Sequence, residues 1–342
     1  MICSGDKITF EKCDMHFVER FGISAAADMV ADYRSEHDLP FIFDSYQLSN
    51  FLILKRNDLF HLAKNASFEY RAFEIKKKNG KMRKLYAPSP RLRSVQRTIN
   101  RGILSHIPIS PFATAYKRGT GIKANAALHT NKRYILKLDI TDFFGSITFE
   151  DVYSSTFNRR LFPAQIGVIL TKLCCLNDRL PQGAPTSPTI SNIVMKNFDL
   201  NLGSWCQKHS VAYSRYCDDL TFSSDLPLYN VYVKAKNMLK ENGFELNESK
   251  TRFIKNSNCQ SVTGLTVNEK VNVSKEYKRA LRQDVYYALK FGENCEIKYG
   301  KAGFYEYLSS LSGKVNYVLS IEPENSFFLS ARDELTKMNT RR

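Results

Sequence analysis

The feature that most constrains this sequence is an apolar segment at residues 134–138 that ends in an acidic residue, Asp139. The aliphatic and aromatic residues of this segment predict a buried β-strand. Later in the chain, residues 211–223 read as two short strands joined by a tight turn that carries Asp218 and Asp219. Acidic side chains at such positions repel one another and add no packing. The pattern therefore predicts that these three aspartates serve a purpose other than folding.

The segments around these acids predict a particular kind of sheet. The order of strand, helices, hairpin, helix and strand is that of a split βαβ sheet with helices on one face, so the predicted fold class is α+β. The segments, in chain order, are a strand at 134–138, helices at 163–175 and 187–209, the hairpin at 211–223, a helix at 228–243 and a strand at 244–254.

Three further regions lie outside this sheet. Residues 1–65 show apolar positions at helical spacing and form a predicted N-terminal helical region. An Asn-Gly step at 79–80 between two alternating segments predicts a β-hairpin with a basic tip. Residues 274–342 are largely helical in pattern and basic, which predicts a separate lobe that grips a polymer.

The composition narrows the class of partner. Lysine and arginine number 50 against 34 acidic residues, a net charge of +16, and aromatic residues make up 12%. This excess favours nucleic acid as a partner, although a protein that is merely basic stays open at this point. Hydrophobic residues, at 43%, exclude a disordered chain. No apolar run could cross a bilayer and the N-terminus lacks a signal-peptide core, which predicts a cytoplasmic protein without a membrane partner.

The three aspartates have a chemical interpretation. Mg²⁺ is bound by one or two carboxylates together with substrate phosphates. Two such ions about 3.5–4 Å apart clamp the attacking and leaving oxygens of a phosphoryl displacement. The alternatives are that Asp139 caps a helix and that Asp218 and Asp219 form an ordinary turn. The combination of a strand-end aspartate with a hairpin Asp-Asp in a basic chain favours metal catalysis.

Three strings indicate a family. Residues 216–219, Tyr-Cys-Asp-Asp, resemble the YxDD box of reverse transcriptases, and residues 138–144 resemble the first palm motif of these enzymes. Between them, residues 180–188 resemble the LPQGxxxSP box. All three occur in the order of the family, which makes the match specific. Cys217 departs from the small or apolar residue usual at its position, and its thiol predicts sensitivity to oxidation.

Two further strings narrow the resemblance to retron reverse transcriptases. Residues 125–129 resemble the NAxxH element and residues 262–264 the VTG element of that family. The resemblance covers about residues 66–320 and implies a right-hand polymerase, in which an antiparallel palm sheet carries the acids and the thumb is helical. The implied divisions are an N-terminal helical region at 1–65, fingers at 66–132, a palm at 133–265 with an interleaved fingers segment at about 147–190, and a thumb at 266–342.

The resemblance also implies roles for single residues in catalysis. Two Mg²⁺ ions are implied, with the three aspartates as catalytic residues, on a ligand set of Asp139, Ile140, Asp218 and Asp219. Contacts with the incoming dNTP are implied for Lys77, Arg83, Phe143, Phe144, Gln182 and Lys250. Phe144 falls at the position of an aromatic steric gate that excludes ribonucleotides. Lys250 falls at the position of a lysine that can donate a proton to pyrophosphate.

RNA contacts are implied for a second set of residues. These are Asn125, His129, Lys275, Lys278, Arg279 and Arg282. The residues from 275 to 282 recur at spacings of three and four, so they share one face of a helix. A structural role for the two residues of the NAxxH string, and a solvated surface for the basic helix face, stay open as alternatives.

The function that follows from the resemblance is RNA-directed DNA synthesis. The expected partner is a structured noncoding RNA that serves as template and primer, together with its cDNA and dNTPs. Synthesis is expected to start at a 2′-OH, to leave a branched RNA–DNA product, and to serve anti-phage defence with an effector protein. The alternatives are another bacterial reverse transcriptase, of the diversity-generating or abortive-infection type, and an RNA-binding scaffold with a vestigial polymerase site.

Overall fold

A computed structural model of the chain describes residues 38–76, 80, 82–117, 119–292 and 303–340. Residues 1–37 of the predicted N-terminal helical region, and Lys77 of the predicted dNTP contacts, lie outside the described residues. The strands are β1 (Tyr70–Lys76), β2 (Met82–Pro88), β3 (Tyr134–Asp139), β4 (Ala212–Tyr216), β5 (Asp219–Ser224), β6 (Arg252–Lys255), β7 (Ser261–Val262), β8 (Leu265–Thr266) and β9 (Asn272–Val273).

Helices make up most of the remaining described chain. They are α1 (Ser45–Phe51), α2 (Arg56–Lys64), α3 (Pro90–Gly102), α4 (Ile122–Ala127), α5 (Phe143–Ser146), α6 (Phe149–Thr156), α7 (Ala164–Cys174), α8 (Ser187–Val194), α9 (Lys196–Lys208), α10 (Tyr229–Glu241), α11 (Lys275–Phe291), α12 (Phe304–Ile321) and α13 (Ser326–Thr340). Among the described residues, no helix combines the length and the apolar composition needed to span a bilayer.

The central sheet consists of β3, β4, β5 and β6 in the spatial order β4-β5-β3-β6, with all neighbours antiparallel. β3 pairs with β5 along its whole length, from Tyr134 opposite Ser224 to Asp139 opposite Asp219. The predicted succession of strand, helices, hairpin, helix and strand is present, and the strands take the places expected of a split βαβ sheet. The register brings the end of β3 to the start of β5, where the hairpin turn lies.

Both faces of the central sheet are covered along β3. Successive side chains of a strand point to opposite faces. Accordingly, Leu136 and Leu138 belong to a large core formed with helices α3 and α6–α10, whereas Ile135 belongs to a second core. The second core is built by β7–β9 and α11–α13, which we call the C-terminal unit. The sequence predicts helices on one face of the sheet, and the structure shows that the C-terminal unit covers part of the opposite face as well.

The predicted basic hairpin is present as β1 and β2, which pair from Tyr70 opposite Pro88 to Lys76 opposite Met82. Gly80 lies in the connection with φ +81°, a left-handed conformation that glycine adopts without strain. Pro90 then occupies the first turn of α3, where the missing N–H costs no hydrogen bond.

Two predicted elements differ from the structure. The predicted helix at 187–209 is interrupted at Met195, whose ψ of −1° turns the chain between α8 and α9. The predicted strand at 244–254 is a strand only in β6. Its first residues form only an isolated antiparallel bridge with the end of β3, in which the Thr141 N–H donates to Glu245 O at 2.8 Å and the Asn247 N–H donates to Asp139 O at 2.8 Å.

Candidate active site

The three aspartates meet at one end of the central sheet. Asp139 ends β3 directly opposite Asp219, the first residue of β5, and Asp218 lies in the turn between β4 and β5. The turn is tied to β3 because the Ile140 N–H donates to Asp218 O at 3.0 Å. Antiparallel pairing therefore brings together acids that lie far apart in the sequence.

The charges of these acids interact. The pKa of Asp219 is raised to about 6, first because burial disfavours its charged form and then because of the nearby Asp218 carboxylate. Asp139 raises the pKa of Asp219 further, whereas Lys137 and Lys250 lower it. The site is thus a cluster of negative charges that is only partly balanced by two lysines.

Lys250 forms an ion pair with Asp139, the residue that ends β3. Its Nζ lies 2.8 Å from each carboxylate oxygen of Asp139. The Asp139 side chain is 10% exposed and that of Lys250 is 56% exposed, so the ammonium stands at the open side of the site. The sequence predicts Lys250 as a substrate contact, and the structure places it beside the acids.

The donor set fits a divalent cation. Carboxylate oxygens are the ligands that Mg²⁺ prefers, and a cation would relieve the repulsion that raises the pKa of Asp219. Within the described residues no three acidic, histidine or cysteine side chains already stand in a metal-binding arrangement. The carboxylate of Asp139 faces Lys250 instead. The side chain of Ile140 is aliphatic and buried, so only its main-chain oxygen could serve as the predicted ligand.

The two phenylalanines after Asp139 differ in exposure. Phe143 is buried and packs on Phe244, with ring centroids 5.9 Å apart. Its side chain belongs to the core, so the predicted contact with the dNTP is left to the main chain of this residue. Phe144 is half-buried, with its ring centroid 5.4 Å from that of Phe143. Phe143 therefore supports the ring that the sequence predicts as a steric gate.

The LPQG string lies against β2. The Tyr86 N–H donates to Gln182 O at 2.9 Å. Gly183 has φ +123°, and a Cβ at this position would lie 2.7 Å from Tyr86 O, so only glycine fits. Arg83 is exposed on the same strand, opposite Ile75. Gln182 and Arg83 are thereby carried by two segments that are hydrogen-bonded to each other.

The two predicted residues of the NAxxH string are fully buried. Asn125 Oδ1 accepts hydrogen bonds from Thr114 Oγ1 at 2.8 Å and from Ser214 Oγ at 2.6 Å. His129 has Nε2 2.8 Å from Ser214 Oγ and Nδ1 2.8 Å from Ser223 Oγ, and burial lowers its pKa to about 4. Buried side chains cannot contact RNA, so that prediction is corrected. Their contacts support the structural alternative.

The VTG string contacts the NAxxH string. Thr263 and Gly264 both have positive φ, at +46° and +83°, and form the turn between β7 and β8. Thr263 Oγ1 donates to Ile122 O at 3.2 Å and lies 3.5 Å from Asn125 Nδ2. Nothing in the sequence predicts this contact, because the strands of the central sheet lie between the two strings along the chain.

The predicted basic face of α11 divides into two groups. Lys275, Arg279 and Arg282 are exposed, and the Arg282 guanidinium carbon lies 5.5 Å from the ring centroid of Phe327. Lys278 is different, because its side chain is 15% exposed and its Nζ lies 2.8 Å from Glu322 Oε1. This ion pair joins α11 to the end of α12, and the RNA contact of Lys278 stays a prediction.

The thiol of Cys217 does not match its prediction. Cys217 is buried in the hairpin turn, and its pKa is raised to about 12, chiefly by burial and by the charge of Asp218. The thiolate is the form that reacts with oxidants, and it is scarce at neutral pH when the pKa is this high. The predicted sensitivity to oxidation is not supported by this environment.

Sequence reasoning missed two groups of functional interest. Lys137 in β3 lowers the pKa of Asp219, and its only sequence signal is a lysine inside an apolar strand. Arg215 and Asp199 form a fully buried ion pair beneath the hairpin turn. Their residue types are unremarkable in the sequence, because the pairing depends on how α9 packs against β4.

Asp219→Asn is expected to stabilise the protein at pH 7.5 in a chelating buffer. Because the pKa of Asp219 lies above its ordinary value of 3.8, the folded protein holds this proton more tightly than the unfolded chain. This contribution to stability falls as the pH rises from about 4 to about 6 and is unfavourable above that. We expect a gain of about 1 kcal/mol at pH 7.5 and little gain at pH 4. Thermal melting with EDTA at both pH values measures it, and an equal gain at both would contradict the assignment.

The comparisons with known proteins agree on one family. Residues 75–271 match the family described as reverse transcriptase (RNA-dependent DNA polymerase). The retron Mx65 reverse transcriptase of Myxococcus xanthus is 32% identical over 77% of this chain and 64% of that protein. The retron Ec86 reverse transcriptase of Escherichia coli is 29% identical over 83% of this chain and 91% of that protein. The retron Ec83 reverse transcriptase of Escherichia coli is 32% identical over 74% of this chain and 83% of that protein.

Proposed function

The chain belongs to the retron reverse transcriptases, and from this premise we propose that it is an RNA-directed DNA polymerase that copies part of a dedicated structured RNA into DNA. The observation that carries the proposal is the meeting of Asp139, Asp218 and Asp219 at one end of the central sheet. Burial raises the pKa of Asp219 first, and the nearby carboxylates of Asp218 and Asp139 raise it further, so a bound cation would stabilise the charged form of this residue.

Asp139, Asp218 and Asp219 are the residues that would hold two Mg²⁺ ions, with the main-chain oxygen of Ile140 as a further ligand. When bound, such ions stabilise the attacking and leaving oxygens of a phosphoryl transfer. The chain itself fixes the carboxylates at the sheet end by the pairing of β3 with β5. Lys250 holds its ammonium beside Asp139 and is proposed to donate a proton from Nζ to the departing pyrophosphate.

Three other residues are proposed to contact the dNTP. Phe144, supported by Phe143, excludes a ribose 2′-OH by steric overlap. Gln182 contacts the nucleotide from a segment whose backbone is fixed on β2. Arg83, exposed on β2, binds the outer phosphates, where a cation stabilises the charge of the transferred group.

The divisions of a right-hand polymerase are proposed for this chain. Fingers at 66–132, a palm at 133–265 and a thumb at 266–342 assign the central sheet to the palm and α11–α13 to the thumb. The exposed residues Lys275, Arg279 and Arg282 then provide a phosphate-binding face on the thumb. A branched product primed from a 2′-OH, a cytoplasmic location and a role in anti-phage defence with an effector protein belong to the same proposal.

The test is to purify the full chain with the nucleic acid that it retains and to supply Mg²⁺ and the four dNTPs. We expect DNA synthesis that stops when EDTA is added. The template should be one predominant structured RNA, and the new DNA should stay joined to this RNA until the branch is cleaved. DNA synthesis on RNA without a dedicated, DNA-linked species would indicate another type of bacterial reverse transcriptase. Retained RNA without any synthesis would indicate a vestigial scaffold.

A further inference from the structure

A charged pair lies beneath the hairpin that carries Asp218 and Asp219. Arg215 in β4 and Asp199 in α9 are both fully buried. Arg215 Nε donates to Asp199 Oδ1 at 2.9 Å, and Arg215 Nη2 donates to Asp199 Oδ2 at 2.7 Å. Two parallel charge-assisted hydrogen bonds of this kind fix the plane of the guanidinium.

The remaining nitrogen of this guanidinium reaches the turn itself. Arg215 Nη1 donates to Cys217 O at 3.1 Å. Cys217 has φ +62°, a left-handed conformation that is strained for a residue with a side chain and persists only when its surroundings hold it. Arg215 supplies such a restraint one residue before Asp218.

Stability alone is a poor explanation for the pair. Removing two charges from water costs several kcal/mol, and apolar residues of similar volume often fill such a site equally well. Each nitrogen of the guanidinium and each oxygen of the carboxylate nevertheless has a hydrogen-bond partner, and the Tyr213 hydroxyl also donates to Asp199 Oδ1 at 2.8 Å. A pair that is costly to bury and has a partner at every polar atom is better explained by the geometry that it fixes.

The pair is also in contact with the other parts of the site. The Arg215 guanidinium carbon lies 6.0 Å from the ring centroid of Phe143, which follows Asp139 and supports Phe144. The Arg215 N–H donates to Phe112 O at 2.8 Å, which fixes the backbone of β4. Asp199 lies in α9, the helix that continues the chain after α8, where the LPQG string ends. One guanidinium therefore adjoins the hairpin turn and the string that follows Asp139.

We infer that Arg215 and Asp199 are positioning residues for DNA synthesis, and that Arg215 holds the turn at Cys217 in the conformation that aims Asp218 and Asp219 at the reaction. The part of this inference that concerns DNA synthesis rests on the proposed polymerase function. The restraint on the turn is a property of the fold and can be measured without catalysis.

The decisive variant is Arg215→Lys. Lysine keeps the positive charge beside Asp199, but its single ammonium lacks the planar fork that reaches Asp199 and Cys217 O together. We expect Mn²⁺ binding, measured by electron paramagnetic resonance, to weaken about 10-fold or more. We expect kcat to fall by a similar factor while KM for the dNTP changes less than about twofold, because the proposed dNTP contacts are untouched.

A second readout needs neither metal nor activity. Cys217 is buried in the intact turn, so a thiol reagent labels it slowly. In Arg215→Lys, peptide-resolved mass spectrometry is expected to show faster labelling of Cys217, with the buried Cys206 unchanged as an internal reference. Faster labelling of both cysteines would indicate general loosening and would overturn the inference.

The matched control is Tyr213→Phe, which removes one hydrogen bond to Asp199 and leaves the contact of Arg215 with Cys217 in place. We expect its Mn²⁺ affinity and Cys217 labelling to match the wild type within about twofold. Equal losses in both variants, or wild-type values in Arg215→Lys, would refute the positioning role. If Arg215→Lys does not fold, Asp199→Asn takes its place with the same expectations. A wild type that makes no DNA while the labelling result holds would refute the polymerase proposal alone.

Discussion

Asp218→Asn is expected to lower the rate of DNA synthesis by about 10³-fold or more. An amide has the shape of the carboxylate but lacks its charge, and losing about 4 kcal/mol of transition-state stabilisation corresponds to such a factor. The fold should be kept, because Asp218 is tied to β3 through its main-chain oxygen. Single-turnover primer extension on RNA measures the rate, and a mobility shift with the same RNA should show an unchanged affinity.

The matched control for this prediction is Asp225→Asn. Asp225 follows β5, the strand that Asp219 begins, but its side chain is 58% exposed, pairs with Lys132 at the surface and accepts a hydrogen bond from the Arg133 N–H at 3.3 Å. Exposed pairs contribute little, so we expect activity within about twofold of the wild type. Full DNA synthesis by the Asp218→Asn protein would remove this residue from the proposed chemistry.

Phe144→Ala is expected to have the second largest effect, on the choice of sugar rather than on the rate with dNTPs. Removing a ring that overlaps a 2′-OH relieves a steric penalty of about 1–3 kcal/mol, so discrimination against ribonucleotides should fall about 10- to 100-fold. The ratio of kcat/KM for dGTP and rGTP on one primed RNA measures it. Phe144 is half-buried against Phe143, so melting temperatures should accompany the kinetics.

Phe144→Tyr is the control for the steric gate, because it keeps the ring and adds only a hydroxyl. Its discrimination should stay within about threefold of the wild type. An unchanged ratio in Phe144→Ala would show that the half-buried ring is only part of the core. A loss of activity with both nucleotide types in equal measure would point instead to disturbed packing around Phe143.

The elements that the sequence predicts well are those with a strong local pattern. The apolar run of β3, the turn at Cys217 between β4 and β5, and the Asn-Gly hairpin are all present. These patterns depend on neighbouring residues and on the two-residue period of a strand, so they can be recognised without knowledge of the rest of the fold. The predicted strand at 244–254 is interrupted, because a 3-10 turn at Glu248–Lys250 separates its first residues from β6.

Contacts inside the fold explain why some predicted RNA-binding residues have a structural role instead. Asn125 and His129 look like a surface motif in the sequence, yet three hydroxyl groups from distant segments satisfy them in the interior. Lys278 has the same helical spacing as its basic neighbours, but its ammonium forms an ion pair with Glu322 at the end of α12. In each case the partner comes from another element, so spacing along one helix could not identify it.

From the sequence alone, the residues expected to carry the chemistry can be named, because the acids, the glutamine and the aromatic ring stand in short strings whose order and residue types are specific. The packing of distant segments then fixes how the acids meet and which charged side chains are paired inside the fold. Antiparallel pairing joins Asp139 to Asp219, and the packing of α9 on β4 brings Asp199 to Arg215. The physical reason is that hydrogen bonds and Coulomb forces act over a few ångströms in space, whatever the distance along the chain.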